Sequence, residues 1–176
     1  MFLDETGLML QPVVRRSWGP KGCPPVMYCW DRRDRLSVIG ALSRAPRKRR
    51  IGLYFVMYER NVTAEEVEAF LRDVRRSLGR KVIVVMDRWA AHRKAAKALY
   101  GDKRFWIEWL PPYAPDLNPV DKLWGHTKHD DLANFIPEDL PDQNGHWNAP
   151  STKHTSAPDC CGRSFMRLNW NCNLLH

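Results

Sequence analysis

The chain has 176 residues, 44% of them hydrophobic, which suits one domain with a core of its own and a tail. Its 28 basic residues outnumber its 20 acidic ones, and the net charge of +8 favours a polyanionic partner, nucleic acid first, although some basic proteins bind none. No stretch approaches the roughly 20 consecutive apolar residues that span a bilayer, and no signal peptide is recognisable. We therefore expect no membrane partner. The five cysteines make no disulfide framework, so we expect a reducing cytosol.

The N-terminal third of the chain predicts strands with charged connections. Residues 1–7 are typical of a strand that ends at Asp4 and breaks into a turn, where Asp4 is either an ordinary turn residue or a site residue. Residues 25–30 and 36–43 predict an antiparallel hairpin, and 51–58 predict a further strand.

Two basic segments accompany these strands. One is an irregular arm in which cations lie among Trp, Gly and Pro, and the other is a run of cations just before the strand 51–58. Both are candidates for phosphate contacts, although solvated loops have the same composition. The candidate residues are Arg15, Arg16, Lys21, Arg47, Lys48, Arg49 and Arg50.

The middle of the chain predicts a helix, a strand and a helix. A capping-box pattern starts an amphipathic, core-facing helix over 64–78. Residues 81–87 predict a strand, and its continuous apolar run 82–86 is typical of a strand buried on both faces of a sheet. Asp87 stands at the carboxyl end of this strand, where open sheets place their ligands, which favours a functional carboxylate. The next predicted helix, 90–100, carries His92 as a capping or packing residue near Asp87.

A strand over 105–110, a proline-rich linker and a helix follow. Two prolines end the strand because they offer no backbone donors. Asn118 is the predicted N-cap of the helix, and Pro119 occupies its first position, where a missing N–H costs nothing. Asp121 therefore lies in the first turn, where it either complements the helix dipole or serves a site at the end of the sheet.

The C-terminal residues, 141–176, show no period of 2 or 3.6 and are rich in Asn, Ser, Thr and Pro. We therefore predict a domain over 1–140 and a poorly ordered, irregular C-terminal tail over 141–176.

Asp4, Asp87 and Asp121 lie on three different predicted elements. If the strands that carry the first two are neighbours, three carboxylates meet and repel one another unless a cation lies among them. Carboxylate oxygens suit Mg²⁺ or Mn²⁺. Two such ions about 3.5–4 Å apart serve phosphoryl transfer in other enzymes.

Four motifs stand out in the chain: Phe-Leu-Asp-Glu-Thr-Gly, Arg-Ser-Trp-Gly-Pro-Lys-Gly, Val-Val-Met-Asp followed by Ala-Ala-His, and Leu-Pro-Pro-Tyr-Ala-Pro-Asp-Leu-Asn-Pro-Val-Asp-Lys-Leu-Trp. With these motifs the chain resembles the catalytic domain of DDE transposases, the mariner-like superfamily and its bacterial insertion-sequence relatives, over about residues 2–140. The second and third acids are 121 − 87 = 34 positions apart, which fits the family's spacing.

The resemblance implies an α/β, RNase H-like mixed sheet flanked by helices, and metal-dependent DNA cleavage and strand transfer in transposition. Water, and later a DNA 3′-hydroxyl, would attack the phosphodiester with two Mg²⁺ or Mn²⁺ ions bound. Asn118 and Pro119 match the family as structural residues; His92 matches as a positioning residue and is also a nucleic-acid-binding candidate. By motif the metal-binding catalytic triad is Asp4, Asp87 and Asp121.

The implied partners are DNA, as transposon ends and target, and further copies of the chain in a homo-oligomer when active. The implied location is the bacterial cytoplasm, in association with the nucleoid.

Three departures from the family pattern matter. The third acid is Asp121, as in mariner-like enzymes, whereas the bacterial relatives usually have Glu. A helix-turn-helix region normally precedes this domain, and more helix normally follows Leu140. We therefore expect a fragment, with a tail that a frameshift would explain.

Two alternatives stay open: an inactive remnant with at most non-specific DNA binding, and an RNase H-like nuclease that cuts RNA in hybrids, against which the Pro-Pro-Tyr motif argues.

Overall fold

The structure, a computed structural model, describes residues 1–9, 11, 13–26, 28, 35–45, 51–134, 154–158 and 164–170, the last two ranges by their backbone alone. The strands are β1 (Phe2–Met9), β2 (Arg35–Arg44), β3 (Ile51–Tyr58), β4 (Val82–Met86), β5 (Phe105–Trp109), β6 (His154–Pro158) and β7 (Ser164–Trp170). The helices are α1 (Ala64–Leu78), α2 (Ala90–Ala98) and α3 (Pro119–His126); a 3-10 turn (Pro115–Leu117) precedes α3 and a π-helical turn (Thr127–Asp131) continues it.

The strands form one mixed sheet in the order β5-β4-β1-β2-β3-β7-β6. β1 is antiparallel to β2 over its whole length and parallel to β4, and β4 is parallel to β5. β1 and β4 are therefore neighbours, which is the condition under which Asp4 and Asp87 come side by side. The prediction of a mixed sheet flanked by helices is confirmed.

Helices cover both faces of this sheet. One core cluster joins β1 and β4 to α1 and α2, and Leu3 belongs to it. The second cluster joins β2 and β3 to α3, and Phe2 packs against it. Since neighbouring residues of a strand point to opposite faces, Asp4 faces α3 and Glu5 faces α2. Within the described residues no helix has the length and apolarity that a bilayer span requires.

The predicted helix over 64–78 is confirmed, and its ends follow local rules. The backbone N–H of Thr63 donates to Glu66 Oε2 at 2.6 Å, which is one half of a capping box. Gly79 ends the helix with φ of 65°, a left-handed conformation that glycine adopts without strain.

Three strand predictions need correction. β1 does not end at Asp4 but continues to Met9, because every residue of it pairs with β2. Residues 25, 26 and 28 of the predicted hairpin lie in no strand, and β2 pairs with β1 and β3 instead. β4 is not buried on both faces: Ile83 is 57% exposed, because α3 packs on β1 and β2 rather than over β4 in the described part of the chain.

β6 and β7 fall in the segment 141–176, for which we predicted no regular element. β7 pairs antiparallel with β3, and β6 pairs with β7. Their sequences lack the strict apolar alternation by which a half-buried strand is recognised. The other residues of 135–176 lie outside the described part, and the domain boundary at 140 stays a prediction.

Candidate active site

Asp4 and Asp87, the first two predicted acids, lie side by side in the sheet. In the parallel pairing of β1 with β4, Phe2 is opposite Val85. Asp4 and Asp87 each lie two residues further along their strand directions, so the register brings them side by side at the carboxyl end of β4. Asp4 is partly buried, whereas Asp87 is exposed just beyond the end of β4.

Two contacts fix α3, and with it Asp121, against this pair. Asn118 caps the helix, since its Oδ1 accepts from the N–H of Val120 at 3.2 Å, while its Nδ2 donates to the carbonyl of Leu3 at 3.1 Å. The predicted N-cap is therefore confirmed, and the same side chain ties α3 to the residue that precedes Asp4. Asp121 lies in the first turn and is exposed.

The second contact is a close approach of α3 to the sheet. Gly40 is opposite Asp4 in the pairing of β1 with β2. A Cβ at Gly40 would lie 2.5 Å from Cζ2 of Trp124, so the indole ring rests directly on the backbone of β2. Trp124 is 3% exposed. Only glycine allows this approach, which holds α3 close to Asp4.

The electrostatics of Asp4 indicate that the three carboxylates are near one another. The pKa of Asp4 is raised to about 7, mainly by burial and then by the charge of Glu5, against a hydrogen bond with the backbone of Glu5 that lowers it. The charges of Asp121 and Asp87 also raise this pKa. A buried carboxyl surrounded by other carboxylates favours a bound cation, which would stabilise its ionised form.

His92 lies between two of these elements and is 0% exposed. Its Nε2 is 2.7 Å from Glu5 Oε1, and its Nδ1 is 2.5 Å from Asp87 Oδ1. Burial lowers the pKa of His92, but the hydrogen bond and charge of Glu5, together with those of Asp87, outweigh burial and raise it to about 9. At neutral pH the charged ring therefore donates to both carboxylates.

Asp87 is oriented by two donors on one oxygen. Its Oδ1 accepts from His92 and, at 2.9 Å, from the backbone N–H of Trp89. Oδ2 makes no hydrogen bond within the described residues. One oxygen is thus held and the other is available to a ligand. The Trp89 ring stands edge-on to His92, with centroids 5.5 Å apart and an interplanar angle of 86°.

The donor set fits a hard divalent cation. Carboxylate oxygens are the ligands that Mg²⁺ and Mn²⁺ prefer, and the raised pKa of Asp4 marks a place where a cation would be stabilising. Among the residues that the structure describes, no three His, Cys, Asp or Glu side chains are gathered into a ready coordination shell.

The predicted DNA-contact residues have different outcomes. An irregular segment carries the exposed side chains of Arg15, Arg16 and Lys21. It contacts Asn134, whose Oδ1 accepts a hydrogen bond from the backbone N–H of Arg15 at 2.9 Å. The run Arg47, Lys48, Arg49 and Arg50 lies outside the described residues.

His92 is placed differently from the nucleic-acid contact that we predicted. A fully buried ring with both nitrogens engaged has no atom left for a phosphate or a base, so its geometry suits positioning of Asp87 instead. Sequence reasoning missed Glu5, which it treated as part of a turn. The available signal was strand alternation: beside an Asp4 that faces one side, Glu5 must face the other.

Comparison with known proteins gives a family match. Residues 1–139 match the family model described as DDE superfamily endonuclease. No curated protein sequence matches the chain.

Solved structures resemble the chain in fold. The Mos1 transposase paired-end complex with left transposon end has a TM-score of 0.62 at 17% identity, covering 84% of this chain and 46% of that one. The Mos1 mariner paired-end complex with Mn has 0.61 at 20%, with coverages of 84% and 46%. The Mos1 strand transfer complex has 0.59 at 21%, with coverages of 84% and 45%. This chain thus spans less than half of those chains, and the RNase H-like fold that we predicted is confirmed. Because the family model covers 139 of the 176 residues, the chain belongs to the DDE superfamily endonucleases.

Proposed function

We propose that this chain is the catalytic domain of a DNA transposase, which cleaves DNA strands and transfers them through divalent metal ions held by Asp4, Asp87 and Asp121. The observation that carries the proposal is that the pairing of β1 with β4 brings Asp4 and Asp87 side by side. A hydrogen bond from Asn118 to Leu3 also ties α3 to β1. Family membership supports the same reaction class.

The residues of the chain orient the site. His92 and the backbone N–H of Trp89 hold Oδ1 of Asp87, which leaves Oδ2 for a ligand. Asn118 sets the start of α3, which brings Asp121 within electrostatic reach of Asp4. When bound, two Mg²⁺ or Mn²⁺ ions would stabilise the attacking and leaving oxygens of a phosphodiester.

The partners follow from the likeness to Mos1. The names of the Mos1 structures mention a left transposon end, strand transfer, Mn and Mg. We extend these to this chain as transposon ends, target DNA and a divalent metal, in a homo-oligomer that acts on DNA in the bacterial cytoplasm. The exposed cations Arg15, Arg16 and Lys21, with the run 47–50, would contact phosphates of that DNA.

The experiment is nicking of supercoiled plasmid by the purified chain with Mg²⁺ or Mn²⁺. Asp87→Ala should abolish nicking and leave salt-sensitive DNA binding nearly intact. Asp73→Ala is the matched control, because Asp73 is a carboxylate on α1 whose partner is the exposed Arg76 at 2.8 Å. Nicking that survives in Asp87→Ala would refute the triad. No nicking by a folded wild-type chain would favour the inactive remnant or a domain that needs other segments of a longer protein.

A further inference from the structure

A cleft of about 450 Å³ opens beside Asp4 and Asp87. Its floor is formed by β1 and β2, and its walls are the loops that lead into α1 and α2. The volume lies in the range of about 300–1,000 Å³ that small-molecule sites occupy. The cleft therefore has room for a nucleotide next to the proposed catalytic carboxylates.

Arg35 lies across one end of this cleft. A Cβ at Gly7 would be 3.0 Å from Cδ and 3.4 Å from Nε of Arg35, so the bare glycine lets this side chain lie flat on β1. Nη2 of Arg35 donates to Oδ1 of Asn61, which precedes α1. A guanidinium has five N–H donors in a rigid fork, so this bond holds the group while other donors can face an anion.

Trp89 also lines the cleft and is 44% exposed. The backbone N–H of Trp89 donates to Asp87, and the indole ring is held by its edge-on contact with the buried His92 ring. A fixed, half-exposed indole is a platform on which a base can stack, because every base has a π-face.

The lining of the cleft offers one contact for each part of a nucleotide. Arg35 supplies a cation, and arginine binds phosphate oxygens in a two-pronged geometry. A phosphate at Arg35 and a base at Trp89 combine the two contacts by which proteins hold single strands.

We propose that this cleft is a nucleotide subsite, in which Arg35 binds a phosphate and Trp89 stacks on a base of the DNA strand that leads away from the scissile bond. The proposal rests on the proposed function, because that function brings DNA to the carboxylates. It adds the place where the strand lies and two residues that hold it.

The first test is the salt dependence of DNA binding by the full chain, without metal. A short fluorescein-labelled duplex with a single-stranded overhang is titrated in EDTA at several salt concentrations. Arg35→Gln should weaken binding and reduce the slope of log K against log salt by about 0.7, the value for one phosphate on a single strand. Arg80→Gln removes an equal charge from an exposed residue beyond the far end of α1 and should leave the slope unchanged.

A second variant separates charge from geometry. Arg35→Lys keeps the charge but loses the fork, so it should retain the slope and still bind more weakly than wild type. Thermal melting of each variant shows that it is folded. An Arg35→Gln slope equal to that of wild type, or no binding of this probe by the wild-type chain, would overturn the phosphate contact.

The second test addresses stacking. Trp89→Leu should weaken binding of the overhang duplex about 10-fold and leave a blunt duplex unaffected. Trp106→Leu is the control, since Trp106 is 65% exposed on β5 and lies outside the cleft. Equal losses in the two variants would overturn the stacking role.

The outcomes separate the subsite from the catalytic proposal. If Asp87→Ala stops nicking while Arg35→Gln keeps the wild-type slope, the subsite is wrong and the triad stands. If Arg35→Gln reduces the slope of log K against log salt while Asp87→Ala still nicks, the cleft binds DNA and the triad is wrong.

Discussion

His92 Nε2 lies 2.7 Å from Glu5 Oε1, and this contact joins residues 87 positions apart in the chain. It connects β1 to α2. The other nitrogen of the same His92 ring contacts Oδ1 of Asp87. The chain Glu5–His92–Asp87 thus fixes the orientation of a proposed metal ligand through two hydrogen bonds. Groups that orient metal ligands in this way matter nearly as much as the ligands themselves.

Glu5→Gln should therefore weaken metal binding without removing a ligand. Glutamine keeps the shape of Glu5 but not its charge, so it holds the charged His92 less firmly. We expect about a 10–100-fold loss of Mn²⁺ affinity, measured by electron paramagnetic resonance of the free ion. Glu59→Gln, at an exposed carboxylate after β3, is the control. Equal affinities for Glu5→Gln and wild type would show that His92 needs no partner on β1.

Asn118 should matter to both stability and activity. Asn118→Ala loses the cap on Val120 and the bond to Leu3, and should lower the free energy of unfolding by about 1–2 kcal/mol. Asn118→Ser keeps a capping oxygen but is too short to reach Leu3. It should melt near wild type and still nick plasmid more slowly, because α3 is no longer tied beside Asp4. Full nicking by a folded Asn118→Ser variant would contradict the positioning role.

Local sequence signals predicted the elements that carry the site. The Asn118–Pro119 pair marked the start of α3, and a short apolar run ending at Asp87 marked β4, because capping and apolar patterning act over a few residues. The placement of three carboxylates on β1, after β4 and on α3 followed from these.

Pairing between distant segments could not be predicted from such signals. The Thr-Gly pair after Glu5 is typical of a turn, yet Gly7 lies inside β1 opposite Ser37, since tertiary pairing overrides local preference. The bridge from Glu5 to His92 and the packing of Trp124 on Gly40 depend on that pairing.

Gly40→Ala tests how closely α3 must approach the sheet. The added Cβ would lie 2.5 Å from Trp124 Cζ2, so the helix must shift, at a cost of about 1–3 kcal/mol in the free energy of unfolding. Gly125→Ala, within α3, meets no atom within 4 Å and should instead stabilise by about 0.5–1 kcal/mol. Denaturant unfolding gives both values.

A smaller ring should relieve this clash. Trp124→Phe in the Gly40→Ala background should destabilise less than the sum of the two single changes, because the atoms that meet the new methyl group are gone. Additive effects in this cycle would contradict direct contact between the two residues.

The metal-free protein should lose stability as pH rises through the slightly alkaline range. The pKa of His92 is raised from 6.5 to about 9 in the folded state, so the folded state binds its proton more tightly than the unfolded chain. This stabilisation is fully present below about pH 6.5 and is lost as pH rises through about 9. The groups that face His92 are Glu5, Asp87 and the Trp89 ring, so the effect reports on this bridge.

Denaturant unfolding in EDTA between these pH values measures the effect. The free energy of unfolding should fall with pH in wild type and also in His126→Asn, which removes an exposed histidine on α3. The fall should be much smaller in His92→Asn, where the raised pKa of Asp4 still contributes near pH 7. A fall of the same size in His92→Asn would mean that other groups titrate in this range and that the Glu5–His92–Asp87 bridge is not a charged one.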